Sequence, residues 1–202
     1  ILYAVIAAVL WTIGATASYK KAKPWLVYSS TVLGLTVFLL YIILMWKELG
    51  RPPMRTMGET RLWYSFFLPL AGLITYLRKK YRWVMGFGTL LAVVFICINI
   101  FKPEIHSKSL MPALQSPWFA PHVIVYMFSY ALMGVAALTA IYILWKKKTD
   151  LSGCDDLVYL GLAFLTIGML FGALWAKEAW GTYWAWDPKE TWAAITWFTY
   201  LV

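Results

Sequence analysis

Residues 180–190 read WGTYWAWDPKE, which places Trp180, Tyr183, Trp184 and Trp186 inside seven positions. Six of the chain's 13 Trp lie between 175 and 197. Indole rings are broad, flat and apolar, so such a cluster builds a surface suited to a broad, flat, apolar guest. Trp180 and Trp184 are four apart and share a face on a helix, whereas Trp184 and Trp186 project about 200° apart. The plain structural alternative is an aromatic belt at the membrane surface. A belt accounts for Trp25, Trp46, Trp63, Trp83, Trp118 and Trp145, all near the ends of apolar runs. It leaves Trp11 and the dense segment unexplained.

Two histidines accompany the tryptophans. His122 follows Pro121 at the opening of an apolar run, and imidazole is the commonest metal ligand among side chains. Its plain alternative is an interfacial ring bonded to a nearby carbonyl. His106 lies in a polar stretch with Glu104 and Lys108 and reads as a solvated loop residue. Asp187, Pro188 and Glu190 stand at N-cap, first-turn and capping-box spacing, so they predict a helix start there. Asp187 can therefore cap a helix or touch a guest, and capping in either case fixes where Trp186 points.

Other chemistries find no support. No CxxC or CxxCH joins Cys97 and Cys154, which excludes a zinc ribbon or a c-type haem attachment site within the chain. Neither GxSxG, HExxH nor a P-loop occurs. No charged residue or His lies mid-run, where ion-coupled pumps and dihaem membrane cytochromes need them.

The elements that must position these residues are membrane helices. The 202 residues are 62% hydrophobic and 13% charged, against about 25% charged in soluble domains. Six runs are long and apolar enough to span, at about 1–18, 26–46, 62–77, 83–101, 122–145 and 157–175, with a seventh opening near 190. The run at 62–77 holds Pro69 and Gly72 and is open to a kink. The expected fold is all-α, a polytopic helical membrane protein with six transmembrane helices and the start of a seventh, in one domain over 1–202. The last run stops after about 12 residues, roughly 18 Å of helix where about 30 Å is needed, so a fragment truncated at its C-terminal end is expected.

The net charge of +9 comes largely from short turns at 19–23, 78–82 and 146–148. Basic turns favour the cytoplasmic side. Alternation through six spans then puts the longer turns, with His106, His122 and the tryptophan segment, on the outer face. Topology thus explains the charge without nucleic acid.

Residues 180–192 resemble the WWD signature, WGxxWxWDxKE, of the haem-handling proteins of cytochrome c biogenesis. Pro112 to Ser116, with Trp118 and His122, is similar to the segment before that family's first external histidine. Six helices before the signature favour the CcsA (ResC-like) half of the System II cytochrome c synthase over CcmC-like members. The resemblance implies that haem b rests against Trp180, Gly181, Tyr183, Trp184, Trp186 and Asp187, with His122 as an axial metal ligand. A second axial histidine is expected beyond Val202. It implies haem lyase activity: haem vinyl groups joined to the thiols of a CxxCH apocytochrome c. The partners would be a CcsB/ResB-type membrane protein, separate or fused, and the lipid bilayer. Lys177 and Lys189 are candidates for the haem propionates. The expected location is the inner (cytoplasmic) membrane, in preference to a plastid thylakoid. Two alternatives stay open: a haem exporter or chaperone platform without ligation chemistry, and a structural scaffold with a dense aromatic belt.

Overall fold

An apolar segment in lipid must satisfy its own backbone N–H and C=O groups, and a helix does so within one segment. The computed structural model describes residues 1–102, 111–147 and 151–201. Among these, every regular element is helical: α1 Leu2–Tyr19, α2 Pro24–Leu49, α3 Met57–Lys79, α4 Arg82–Phe101, a single 3-10 turn Pro112–Leu114, α5 Phe119–Trp145, α6 Ser152–Trp180 and α7 Pro188–Leu201. The all-helical membrane fold is as expected from the sequence. His106 lies outside the described residues.

The span count differs from the sequence reading. Among the described residues, five helices (α1, α2, α4, α5 and α6) are long and apolar enough to cross a membrane by length and composition. At 23 residues, α3 measures roughly 35 Å, but it extends past its apolar run to take in Glu59 and Arg61. The reason is packing. Thirteen of its residues are buried, so most of its surface meets protein and has no need to match lipid.

Residue contacts divide the chain into two compact units, Ile1–Lys108 and Ser109–Val202. In the second, α6 is the central element: α5 packs along it, and α7 and the 3-10 turn pack against it. In the first, α1 packs on α2 and α4, and α3 packs on α4 and α2. Small residues set these approaches. Gly34 lies under the fully buried Trp11 ring. Gly88 faces the Leu68 carbonyl beside Pro69, where a Cβ would stand 2.7 Å from that oxygen.

A polar staple closes one end of the first unit. The Arg51 guanidinium donates to both carboxylate oxygens of Glu59, at 2.9 and 2.8 Å, and the two side chains are 4% and 0% exposed. Glu59 also accepts from the Arg55 amide at 2.6 Å, and Thr56 caps α3 by accepting from the Glu59 amide at 3.2 Å. The Trp63 indole donates to the Pro53 carbonyl at 2.9 Å. Trp63 is therefore buried core, while Trp25 and Trp145 remain exposed as a belt requires.

Removing one member of a buried ion pair strands the other charge. Arg51→Leu or Glu59→Gln is expected to lower the unfolding free energy by about 3–5 kcal/mol. Arg51→Leu combined with Glu59→Gln should cost well under the sum of the single losses. Denaturant unfolding in detergent checks this, and strictly additive losses would count against a coupled pair.

Candidate functional site: an aromatic cavity beside His122

Glycines on α6 set the position of His122. A Cβ at Gly172 would stand 2.7 Å from His122 Cε1 and 2.8 Å from its Nδ1, and a Cβ at Gly168 would run into the Tyr126 ring. Without those side chains, both rings of α5 lie directly on the α6 backbone. His122 Nδ1 and the Gly168 carbonyl oxygen are 2.8 Å apart. A carbonyl only accepts, so Nδ1 carries the proton and the lone pair of the neutral ring sits on Nε2. Nε2 has no hydrogen-bond partner among the described residues. The ring is held between Tyr126, 4.7 Å away and tilted, and Trp175, 5.4 Å away and near-parallel at 26°.

The segment between α6 and α7 is shaped by its ends. Gly181 ends α6 in the left-handed conformation at φ 83°, with its amide donating to the Lys177 carbonyl at 3.0 Å. Lys177 Nζ donates to the Gly181 carbonyl at 2.8 Å and lies 5.3 Å from the centroid of the Tyr183 ring. The expected capping box is present. Asp187 Oδ1 accepts from the Glu190 amide at 2.8 Å, and Glu190 Oε2 accepts from the Asp187 amide at 3.3 Å. The same Glu190 oxygen takes the Ala185 amide at 2.7 Å. Between these clamps Trp186 adopts φ 57°, a conformation that bulky residues seldom occupy.

One cavity of about 670 Å³ lies among α5, α6, α7 and this segment. Trp180, Tyr183, Trp184, Asp187 and His122 all line it. Gly181 and Trp186 do not line it: Gly181 serves as the helix terminator, and Trp186 points outward, 67% exposed, edge-on to Trp184. Lys189 is in the lining, but Lys177 is not. Residues not singled out from the sequence complete the walls, above all Trp175, Tyr126, Met169 and Trp192. Tyr126 was findable, because 122 and 126 are one helical turn apart and so share a face. The turn at 112–114 is brought to the same end of the unit: the Trp175 indole donates to the Ala113 carbonyl at 2.7 Å, and Ser116 donates to Glu178 at 2.6 Å.

The donor set suits a ligand that brings its own metal coordination. Among the described residues no three His, Cys, Asp or Glu side chains group to hold a bare ion. What the walls offer is one imidazole nitrogen, several aromatic faces, and a buried Trp184 indole N–H with no acceptor among the described residues. A volume of this size falls within the roughly 300–1,000 Å³ typical of organic-ligand pockets.

Comparison with known proteins gives a consistent picture. The family described as "Cytochrome C assembly protein" matches residues 1–202. The cytochrome c biogenesis protein CcsA of Chlamydomonas reinhardtii is 36% identical over 193 residues, covering 85% of this chain and 55% of that protein. The protein of the same name from Guillardia theta is 31% identical over 223 residues, covering 90% of this chain and 73% of its own length. That of Prochlorococcus marinus (strain MIT 9301) is 29% identical over 224 residues, covering 91% and 72%. The chain thus spans little more than half of the Chlamydomonas protein.

A methyl group added at two glycines should have opposite effects. Gly172→Ala pushes on the His122 ring and is expected to lower stability by about 1–3 kcal/mol, as overpacking does. Gly134→Ala, on α5 with open space around the new Cβ, is expected to raise stability by about 0.5–1 kcal/mol through helix propensity. Parallel thermal unfolding of the two variants in detergent tests the assignment, and equal effects would sink it.

Proposed function

This chain belongs to the cytochrome c assembly protein family, in its CcsA branch, and from that premise we propose that it binds haem and presents it for attachment to apocytochrome c. One observation carries the proposal. Residues of the tryptophan segment and His122, 58 or more positions apart in sequence, line the same cavity, and Nε2 of that histidine has no partner among the described residues.

The residues fit a haem as cargo. His122 Nε2 would be a ligand to the iron, and the porphyrin would supply most of the other donors. Trp180, Tyr183, Trp184 and Trp192 would cover the ring, with burial contributing about 25 cal/mol per Å² of apolar surface. Lys189 is the cation placed to meet a propionate, and Lys177 is already engaged by Gly181 and Tyr183.

The chemistry asks little acid–base work of this chain. Each attachment adds a substrate S–H across a vinyl C=C: a C–S bond forms, the proton goes to the neighbouring vinyl carbon, and nothing is lost. The thiols belong to the CxxCH substrate, so no cysteine is needed in the cavity. The protein's part is to hold the vinyl carbons still near the thiols, where positioning alone is worth a large effective concentration. A CcsB/ResB-type partner completes the synthase in this reading. The basic turn at Lys146 and Lys147 lies at the opposite end of α5 from His122, which under the positive-inside rule supports a cavity on the non-cytoplasmic side, the outer side of a bacterial membrane or the lumenal side of a thylakoid.

Purified full-length protein should show a Soret band that is lost in His122→Ala and returns with millimolar imidazole. An unchanged band in that variant rejects His122 as the ligand. Co-expression with the partner and a CxxCH apocytochrome, in a host lacking its own assembly system, should yield covalent holocytochrome. Haem on the outer side without covalent product would favour the exporter reading.

A further inference from the structure

We infer that Trp175 is a positioning residue that fixes the plane of the His122 ring and couples it to the turn at Pro112–Leu114. The inference rests on the haem reading above and adds to it a residue outside the WWD segment.

A single hydrogen bond does not orient an imidazole. The bond from Nδ1 to the Gly168 carbonyl anchors one corner, but χ2 of histidine is a broad, soft torsion. The ring can still swing about that anchor, and its swing moves the direction of the Nε2 lone pair. The near-parallel Trp175 face, at 5.4 Å and 26°, removes that freedom. Two constraints of different kind, a bond in the ring plane and a flat surface along it, together define where Nε2 points.

Trp175 can do this because it is itself held at three points. Its indole N–H donates to the Ala113 carbonyl at 2.7 Å. The Phe119 ring packs on it at 5.3 Å, and the Trp180 ring meets it edge-on at 4.7 Å. The 3-10 turn, the start of α5 and the end of α6 therefore converge on one side chain. A shift of the 112–114 turn is transmitted to the indole, and through the indole to the imidazole.

The test uses haem added to the full-length protein and two smaller apolar substitutions. Trp175→Phe keeps a flat face and loses the bond to Ala113, while Trp175→Leu keeps apolar volume and loses the face. Trp175→Leu should weaken haem binding about 2- to 10-fold, the range for an aromatic pair, and broaden the spread of low-spin EPR g values, which follow the imidazole plane. Trp175→Phe should fall between wild type and Trp175→Leu on both, because it keeps the flat face and loses the Ala113 bond. His122→Ala with added imidazole supplies the reference spectrum of an unrestrained ring. A narrow wild-type spectrum in Trp175→Leu, or equal broadening in Leu and Phe variants, overturns the role of Trp175. A wild-type spectrum in His122→Ala without imidazole instead overturns the haem reading at His122, so the two failures are distinct.

Discussion

The cavity depends on the absence of side chains along one face of α6. Gly161, Gly168 and Gly172 fall seven and four apart, which keeps them on one stripe of the helix. In lipid, helices gain little from hiding apolar surface, so their association relies on close van der Waals contact and interhelical hydrogen bonds. Across this interface the Cys154 thiol donates to the Ala136 carbonyl at 3.4 Å, and the other two interhelical bonds described there end on glycine carbonyls. Ser129 donates to Gly161 at 2.7 Å and His122 to Gly168 at 2.8 Å. A helical carbonyl already accepting within its helix has a second lone pair to offer, but a neighbouring side chain would cover it. Gly172, one turn beyond Gly168, leaves that lone pair uncovered. The histidine's tautomer, its depth and the floor of the cavity all follow from this approach.

On that floor stands a loop whose shape is set by its own polar contacts. Left-handed backbone at a bulky residue costs roughly 1–2 kcal/mol, and Trp186 adopts it because Glu190 gathers two amides while Thr191 donates to the Trp186 carbonyl at 3.2 Å. The capping box thus does more than start α7. It turns Trp186 out of the cavity and leaves Trp184 in the wall. The aromatic segment is consequently two-sided, with Trp180, Tyr183 and Trp184 facing the cavity and Trp186 facing away from it.

Much of this was legible in the sequence, for reasons that differ by feature. Helices were readable because lipid permits few alternatives to continuous apolar runs. The capping box was readable because its residue types and spacing carry a local hydrogen-bond pattern. That Trp186 stands outside the cavity lining was not legible, because composition gives density but not direction, and direction here goes with a positive φ beside the Glu190 clamp. The extent and polarity of α3 were missed because hydropathy assumes a lipid-facing surface, and the Arg51–Glu59 staple satisfies charge internally. Trp175 escaped notice because its importance lies in a contact 53 positions back along the chain, to His122, which no local pattern encodes.

The site's donor inventory constrains its guest more tightly than its shape does. A bare transition-metal ion needs three or four protein ligands, and the described residues offer no such group. A single imidazole in an aromatic cavity is an incomplete coordination sphere, and in the proposed haem reading the guest would bring most of the other donors itself, with broad faces of the kind that indole and phenol rings cover well. The same inventory bears on mechanism. The cavity walls hold one carboxylate engaged in capping, one that clamps the loop, and phenols packed against other rings. Groups so occupied are poorly placed to shuttle protons, and all of them serve to hold a side chain or a loop in place. The proposed chemistry, in which reactive groups arrive on the substrates and the protein fixes their geometry, asks nothing further of these groups.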